Sequence, residues 1–477
     1  MEAVEAEESV RGVKGMGHLV GKNGKGNGRA PIGYGSPALR DNDAYVPGHG
    51  DERYSVLGYD IELDIKLAGN HVQGKAVLRA VAGAAPLAPF ALDLHALKVA
   101  RLSVDGRPPA KFTHRGSRLV ITPKTPIAAG DEFTISVAYS GNPRQMRGPD
   151  GLAGWEELED GLIVASQPHG SPTWFPCNDR PGDKATYRFE VTTDNDYQVV
   201  TNGMLLGTRR KSSRTTWQFE QREPMASYLA TLQIGRYERL ELPPAEAAAT
   251  PATPVAVYYP QGQRRALVSG PMLKQQRMVA EFSRLFGPYP FARYDVVVTD
   301  DELEIPLEAQ TLSIFGRNFL PQTWENERLV AHELAHQWFG NSLTIGQWRD
   351  IWLHEGFACY SEWLWSESSG GRTAADHARE HYAGLAGKPQ DFALADPSPR
   401  LMFDDRVYKR GAATLHALRM EVGDQVFFEL LRGWCNRHRY GTVSTEGFID
   451  HVTEGSSVQR DWFTPWLYEP ALPPLPG

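Results

Sequence analysis

Along the first half of the chain, apolar and polar residues alternate. Ile61, Leu63, Ile65 and Leu67 are separated by Glu62, Asp64 and Lys66, and Phe133, Ile135, Val137 and Tyr139 recur at the same period of two. Tyr187, Phe189 and Val191 repeat the pattern, as do Trp217 and Phe219. A period of two puts apolar side chains on one face of a pleated strand, so each stretch predicts a half-buried strand. Asn202-Gly203, directly after "YQVV", has the chemistry of a tight hairpin turn. Residues 47–240 are therefore expected to form an all-β, mainly antiparallel domain. Ahead of them, residues 1–46 are rich in Gly, Lys, Asn and Glu without an apolar period, which predicts a flexible tail. Behind them, "ELPPAEAAATPATP" (241–254) is rich in Pro and Ala and reads as a linker.

From residue 255 to 477 the texture is mainly helical. A strand is expected at "YDVVVTD" (294–300). A helix is predicted from Thr323, as N-cap, to Gly340, as the residue past its end. A second runs from about Trp352 to Gly370-Gly371, and a third occupies "KRGAATLHALRMEVG" after Tyr408. No internal repeat is visible. The predicted class is α+β and multidomain, with an antiparallel β domain (a saddle or sandwich) ahead of a mainly helical one.

Composition narrows the possible functions. Of 477 residues, 41 % are hydrophobic and 23 % charged, ordinary values for a globular chain of two or three domains. The net charge of −8 offers no basic footprint for nucleic acid and no polybasic membrane patch. Neither a secretory signal nor a long apolar run is present, so no membrane association is expected and cytoplasmic residence is the default. The three cysteines, Cys177, Cys359 and Cys435, form no C-x-x-C pair, which fits a reducing compartment. A monomer is the default oligomeric state.

The chemistry concentrates in "LVAHELAHQWFGN" (329–341). On a helix, His332 and His336 lie one turn apart on one face and can point both imidazoles at one ion. Glu333 sits where it can reach water at that ion. The competing reading is two core histidines beside an unrelated glutamate. A hydrolytic zinc site needs three protein ligands and one open position. The third must come from another element, and "DIWLHEGFACYSEW" offers Glu355, reached after 18 residues (337 to 354). Taken alone, Glu355 is equally a glutamate favoured by the dipole of a helix start.

H-E-x-x-H, 18 residues, then Glu within "LHEGFA" resembles the aminopeptidase N and leukotriene hydrolase family of zinc gluzincins. "SQPHGSPTWFPCNDRPGDKATYRFEV" (166–191) resembles that family's N-terminal signature, and "RVYKRGAATLHALR" (406–419) its Tyr-x-x-Gly segment. "DWFTPWLYEPALPPLP" resembles the close of the short bacterial forms, so an expected consequence is the lack of a C-terminal helical domain and a more open cleft. The resemblance spans roughly residues 47–477. It implies a thermolysin-like second domain, one Zn2+ per chain held by His332, His336 and Glu355, and peptide substrates with a free N-terminus. Glu333 is the implied general base and then acid toward a zinc-activated water, and Tyr408 the implied donor to the oxyanion.

Substrate choice is implied to rest on Glu308, in "DDELEIPLEAQTLSIFG" (300–316), as partner of the α-ammonium. The segment departs from the family's Gly-x-Met-Glu-Asn: Pro306 and Leu307 replace small residues and Ala309 replaces asparagine. Glu308 lies 24 residues before His332, a spacing compatible with the family, and Glu302 and Glu304 compete with it. Gln167 matches a glutamine that approaches the substrate amine. His354 stands where an asparagine is usual and is expected to be neutral packing. The leading expectation is a zinc metallo-aminopeptidase. Alternatives are a hydrolase of the same fold acting on another bond such as an epoxide, a non-catalytic scaffold, and an endopeptidase.

Overall fold

The alternating stretches become strands of one seven-stranded sheet. In a computed structural model, which describes residues 43–148, 151–245 and 252–476, its order is Met204–Lys211, Arg214–Ala226, Lys184–Asp194, Tyr54–Lys66, His71–Ala82, Glu132–Gly141 and Lys98–Val104. Ile61 lies opposite Ala76 in an antiparallel pair and beside Phe189 in a parallel one. The other pairs of this sheet are antiparallel. Along Tyr54–Lys66, Tyr54, Val56, Ile61, Leu63 and Ile65 are buried, the face expected from the period of two.

Asn202-Gly203 does not close a hairpin. Gln198–Thr201 pairs with Leu232–Gly235 in a separate five-stranded sheet, whereas Met204–Lys211 pairs with Arg214–Ala226. The chain changes sheets at this dipeptide. Glycine is required there for a different reason: Gly203 has φ +85°, and a Cβ would lie 2.2 Å from the Glu220 carbonyl oxygen. Two further expectations change. Residues 1–42 of the predicted tail lie outside the described residues, but 43–46 are anchored. Tyr45 and Val46 are buried, the Tyr45 hydroxyl donates to Asp396 and accepts from the Ser398 amide, and the Trp348 amide donates to Asp43. Two adjacent apolar residues carry no period, so the pattern gave no sign of this. The segment 241–254, of which 246–251 lie outside the described residues, joins Tyr237–Leu242 to Val255–Pro260, and these two strands pair with each other.

They begin a mixed five-stranded sheet that continues through Tyr294–Thr299, Leu312–Gly316 and the edge strand Leu307–Ala309. Seven α-helices lie among the described residues, the first two between strands of this sheet and the rest after it: α1 (Arg264–Ser269), α2 (Gln275–Phe286), α3 (Trp324–Ala335), α4 (Trp352–Ser368), α5 (Ala374–Ala386), α6 (Asp405–Arg437) and α7 (Thr445–Gly455). A β-rich first unit thus precedes a mainly helical second one. No helix among the described residues is long and apolar enough to cross a membrane.

The helix ends explain where the sequence reading slipped. The Thr323 side chain accepts from the Asn326 amide, so α3 starts as expected. It stops at Ala335, not near Gly340. Past that point the Asn341 and Ser342 amides reach back to the carbonyls of His336 and Gln337 in a wider turn, and Gly340 takes φ +134°. Helix α6 starts before Tyr408, capped by Asp404, and runs past Gly423, where φ of +78° kinks it. Between Trp352 and Ser366 every residue of α4 is buried, so α4 is the central helix. Gly356 on α4 faces Gly411 on α6 so closely that a Cβ on Gly356 would lie 2.8 Å from the Gly411 Cα. This small-on-small contact draws the helix carrying Glu355 against the helix carrying Tyr408.

Candidate metal centre

Helix α3 carries His332 in its last turn and is capped by His336, and both histidines turn toward α4. Ligand atoms of His332, His336 and Glu355 all lie within 4.8 Å of one another, and the three residues are buried. The Glu355 carboxylate is 3.3 Å from His332 Nε2 and 3.5 Å from His336 Nε2. The other ring nitrogens are already engaged. His332 Nδ1 lies 2.8 Å from Glu362 Oε1, and His336 Nδ1 lies 3.0 Å from the Phe339 carbonyl. A carbonyl can only accept, so His336 donates through Nδ1 and turns Nε2 toward Glu355, the nitrogen that would give up its proton to take a metal ion. The carboxylate of Glu362 does the same for His332. Two oriented imidazoles and a carboxylate are a donor set that suits zinc.

The electrostatics also call for a cation. Burial pulls the His332 and His336 imidazoles down, but Glu355 with Glu362 at His332, and Glu355 with Glu308 at His336, push them up to about 9 and about 10. Burial drives Glu355 upward, yet the two imidazoles hold it well below the usual carboxylate range. Glu333 is raised to about 8, first by burial and then, against the pull of His332, by the charge of Glu308. Its Oε2 is buried with no hydrogen-bond partner among the described residues. Several carboxylates crowded into a buried space are stabilised by positive charge placed among them.

Glu308, Gln167, Tyr408 and His354 lie at or beside this cluster, whereas Glu302, a competitor of Glu308, pairs with Arg317 at 3.7 Å. Ligand atoms of Glu308, Glu333 and His336 lie within 4.8 Å of one another. Glu308 stands in the short edge strand, and Gln167 donates to its Oε1 at 2.7 Å. The Tyr408 ring stacks on His332, with centroids 5.9 Å apart and planes at 21°. His354 is buried and accepts from the Ile345 amide through Nε2. Burial and the neighbouring His336 hold it down to about 3, so it is the neutral packing group expected.

Sequence reasoning missed the supports. Glu362 lies seven residues after Glu355, two turns along the same face of α4, and takes His332 on one oxygen and Arg328 on the other. That spacing was available as a signal. Gln337 and Asn341, which follow the second histidine, hold the Glu308 strand from outside, and no one-dimensional pattern marks such a contact.

Comparison with known proteins gives concordant matches. The Peptidase M1 N-terminal domain matches residues 56–229, and the Peptidase family M1 domain matches residues 272–466. The M1 zinc metallopeptidase from Deinococcus radiodurans is 30 % identical, with TM-score 0.83 over 91 % of this chain and 99 % of that one. A mutant of that protein bound to a Tyr-ser-ala substrate is similar at TM-score 0.82 and 30 % identity, with the same shares covered. Mouse aminopeptidase B is 23 % identical over 394 residues, 76 % of this chain and 58 % of its own length. Leucyl aminopeptidase of Saccharolobus solfataricus is 23 % identical over 403 residues, 78 % of this chain and 49 % of its own. The chain thus spans about half the length of the curated relatives it matches.

Proposed function

Because the chain belongs to peptidase family M1, we propose that it is a zinc-dependent aminopeptidase that removes the N-terminal residue of peptides. The observation that carries this reading is the position of Glu308: its carboxylate, fixed by Gln167, has an oxygen within 4.8 Å of ligand atoms of Glu333 and His336. A carboxylate of this kind is the natural partner of an α-ammonium. An ammonium held there leaves room for a single residue before the scissile carbonyl meets the metal centre.

His332, His336 and Glu355 would hold one zinc ion. Bound zinc supplies Lewis acidity toward the carbonyl and lowers the pKa of water. The remaining steps belong to the protein. Glu333, buried with its Oε2 unpartnered among the described residues, takes a proton from the attacking water and returns it to the departing amine. Tyr408, whose burial pushes its hydroxyl well above the ordinary range, stays protonated and donates to the oxygen that gains charge. Glu308 and Gln167 set where the chain end stops. Glu362 and the Phe339 carbonyl keep the two imidazoles aimed.

A panel of aminoacyl fluorogenic substrates, assayed as purified, after chelation and after zinc is restored, tests this reading. Activity lost on chelation and regained with zinc is the expected result. Full activity after metal removal would overturn it.

A further inference from the structure

The strand that carries Glu308 is three residues long and lies at the sheet edge, paired on one side only, with Leu312–Gly316. On the other side two side chains take the place of a neighbouring strand. Gln337 Nε2 donates to the Ala309 carbonyl at 3.0 Å, and Gln337 Oε1 accepts from the Thr311 amide at 2.8 Å. Asn341 Nδ2 donates to the same Ala309 carbonyl at 3.1 Å. All these groups are buried, and Gln337 is wholly so.

At the second backbone group that Gln337 grips, the chain is strained. Thr311 has φ +68°, a left-handed conformation that a β-branched residue rarely adopts. Such a residue persists only where its surroundings over-determine it. Here they do. Besides Gln337, the Asn202 side chain donates to the Gln310 carbonyl at 2.7 Å, and the Gly203 amide donates to Thr311 Oγ1 at 2.9 Å. The turn next to Glu308 is thus clamped from the first unit by Asn202-Gly203 and from the metal side by the residue that follows His336.

We infer that Gln337 is a positioning residue that locks the Glu308 strand to the metal-binding segment and so fixes the gap between amine anchor and scissile bond. The inference rests on the aminopeptidase reading of Glu308. Its physical content is that a side chain peptide-bonded to His336 reports the position of the metal centre to the anchor through two short hydrogen bonds.

The test is steady-state kinetics of Gln337→Met, with native-sized apolar bulk and neither hydrogen bond, on a peptide pair that is free or acetylated at its N-terminus. Zinc content is measured alongside. The expected result is about one zinc per chain, a KM for the free peptide raised about 10-fold, and a free-to-acetylated kcat/KM ratio shrunk by about the same factor. The kcat should change little. Should Gln337→Met fail to fold, Asn341→Ala removes one bond to the same carbonyl and should shift the same ratio in the same direction by a smaller factor. A zinc-loaded variant with an unchanged ratio, or a loss falling on kcat for both peptides equally, would overturn the inference. Wild-type enzyme and Glu308→Ala run beside it separate the two layers. If wild type cleaves both peptides alike, the amine-anchor reading fails and the inference with it. If only Glu308→Ala loses discrimination, the anchor stands and Gln337 is not its positioner.

Discussion

Replacing Glu362 with glutamine isolates the support of His332 from its ligand role. Glu362 is buried, with one oxygen 2.8 Å from His332 Nδ1 and the other 3.2 Å from Arg328 Nη1. In Glu362→Gln the shape is kept, but only one end of the side chain can accept. The always-charged Arg328 takes the amide oxygen, so the amide NH2 turns toward His332 Nδ1. That end can only donate, which moves the imidazole proton to Nε2, the atom that faces Glu355. Losing a charge-assisted bond of this kind costs about 1.5–3 kcal/mol, and outer partners of metal-binding histidines govern about 10- to 100-fold in metal affinity. Zinc affinity, measured by competition with a calibrated chelator and followed through both bound metal and residual activity, should therefore fall about 10- to 100-fold. At saturating zinc, kcat should recover to near the native value, because Glu362 touches neither substrate nor attacking water. Thermal unfolding of the zinc-free proteins controls for a general loss of fold. Unchanged zinc affinity in a folded variant would refute the orientation argument.

Further outcomes follow from the same geometry. Glu333→Gln should retain about one zinc per chain by metal analysis and lose activity by a factor of 10² or more; near-native turnover would remove Glu333 from the role of base. Tyr408→Phe should lower kcat more than it changes KM, because its contact belongs to the transition state, and a change in KM alone would contradict that. Glu308→Ala should lower kcat/KM for free peptides about 10- to 150-fold while leaving acetylated ones unaffected; equal losses on both would count against the anchor. Gly356→Ala places a Cβ 2.8 Å from the Gly411 Cα, with backbone rather than a flexible side chain in the way. It should cost about 1–3 kcal/mol in denaturant unfolding, and a stability equal to wild type would mean that α4 and α6 are not held at that contact.

Much of the site could be read from one dimension because its chemistry is local. His332, Glu333 and His336 share a helical turn, and the period of the helix alone brings both imidazoles to one face. Glu355, Tyr408 and Glu308 come from separate elements, so their convergence needed either a fold or a resemblance. The strands at 61–67, 133–139 and 187–191 were legible because one buried face imposes a strict alternation. Asn202-Gly203 was misread because a hairpin and a change of sheet ask the same thing of the backbone, a positive φ at glycine. The end of α3 was misread because the residues after Ala335 stay buried and include Trp338 and Phe339, so no loss of burial accompanies the change in backbone. Gln337 and Asn341 were invisible as functional groups because their partners are backbone atoms of another element, whereas Glu362 was marked by its seven-residue spacing from Glu355 on the same face of α4.

The central claim is that Glu308 and the metal centre together admit one residue of a free N-terminus. It is tested most directly by mass analysis of a single peptide, free or acetylated at its N-terminus, after digestion with the zinc-loaded wild-type protein. The account predicts stepwise removal of single N-terminal residues from the free peptide and very little product from the acetylated one. Internal cleavage of both at similar rates would contradict it and make the protein an endopeptidase on this fold.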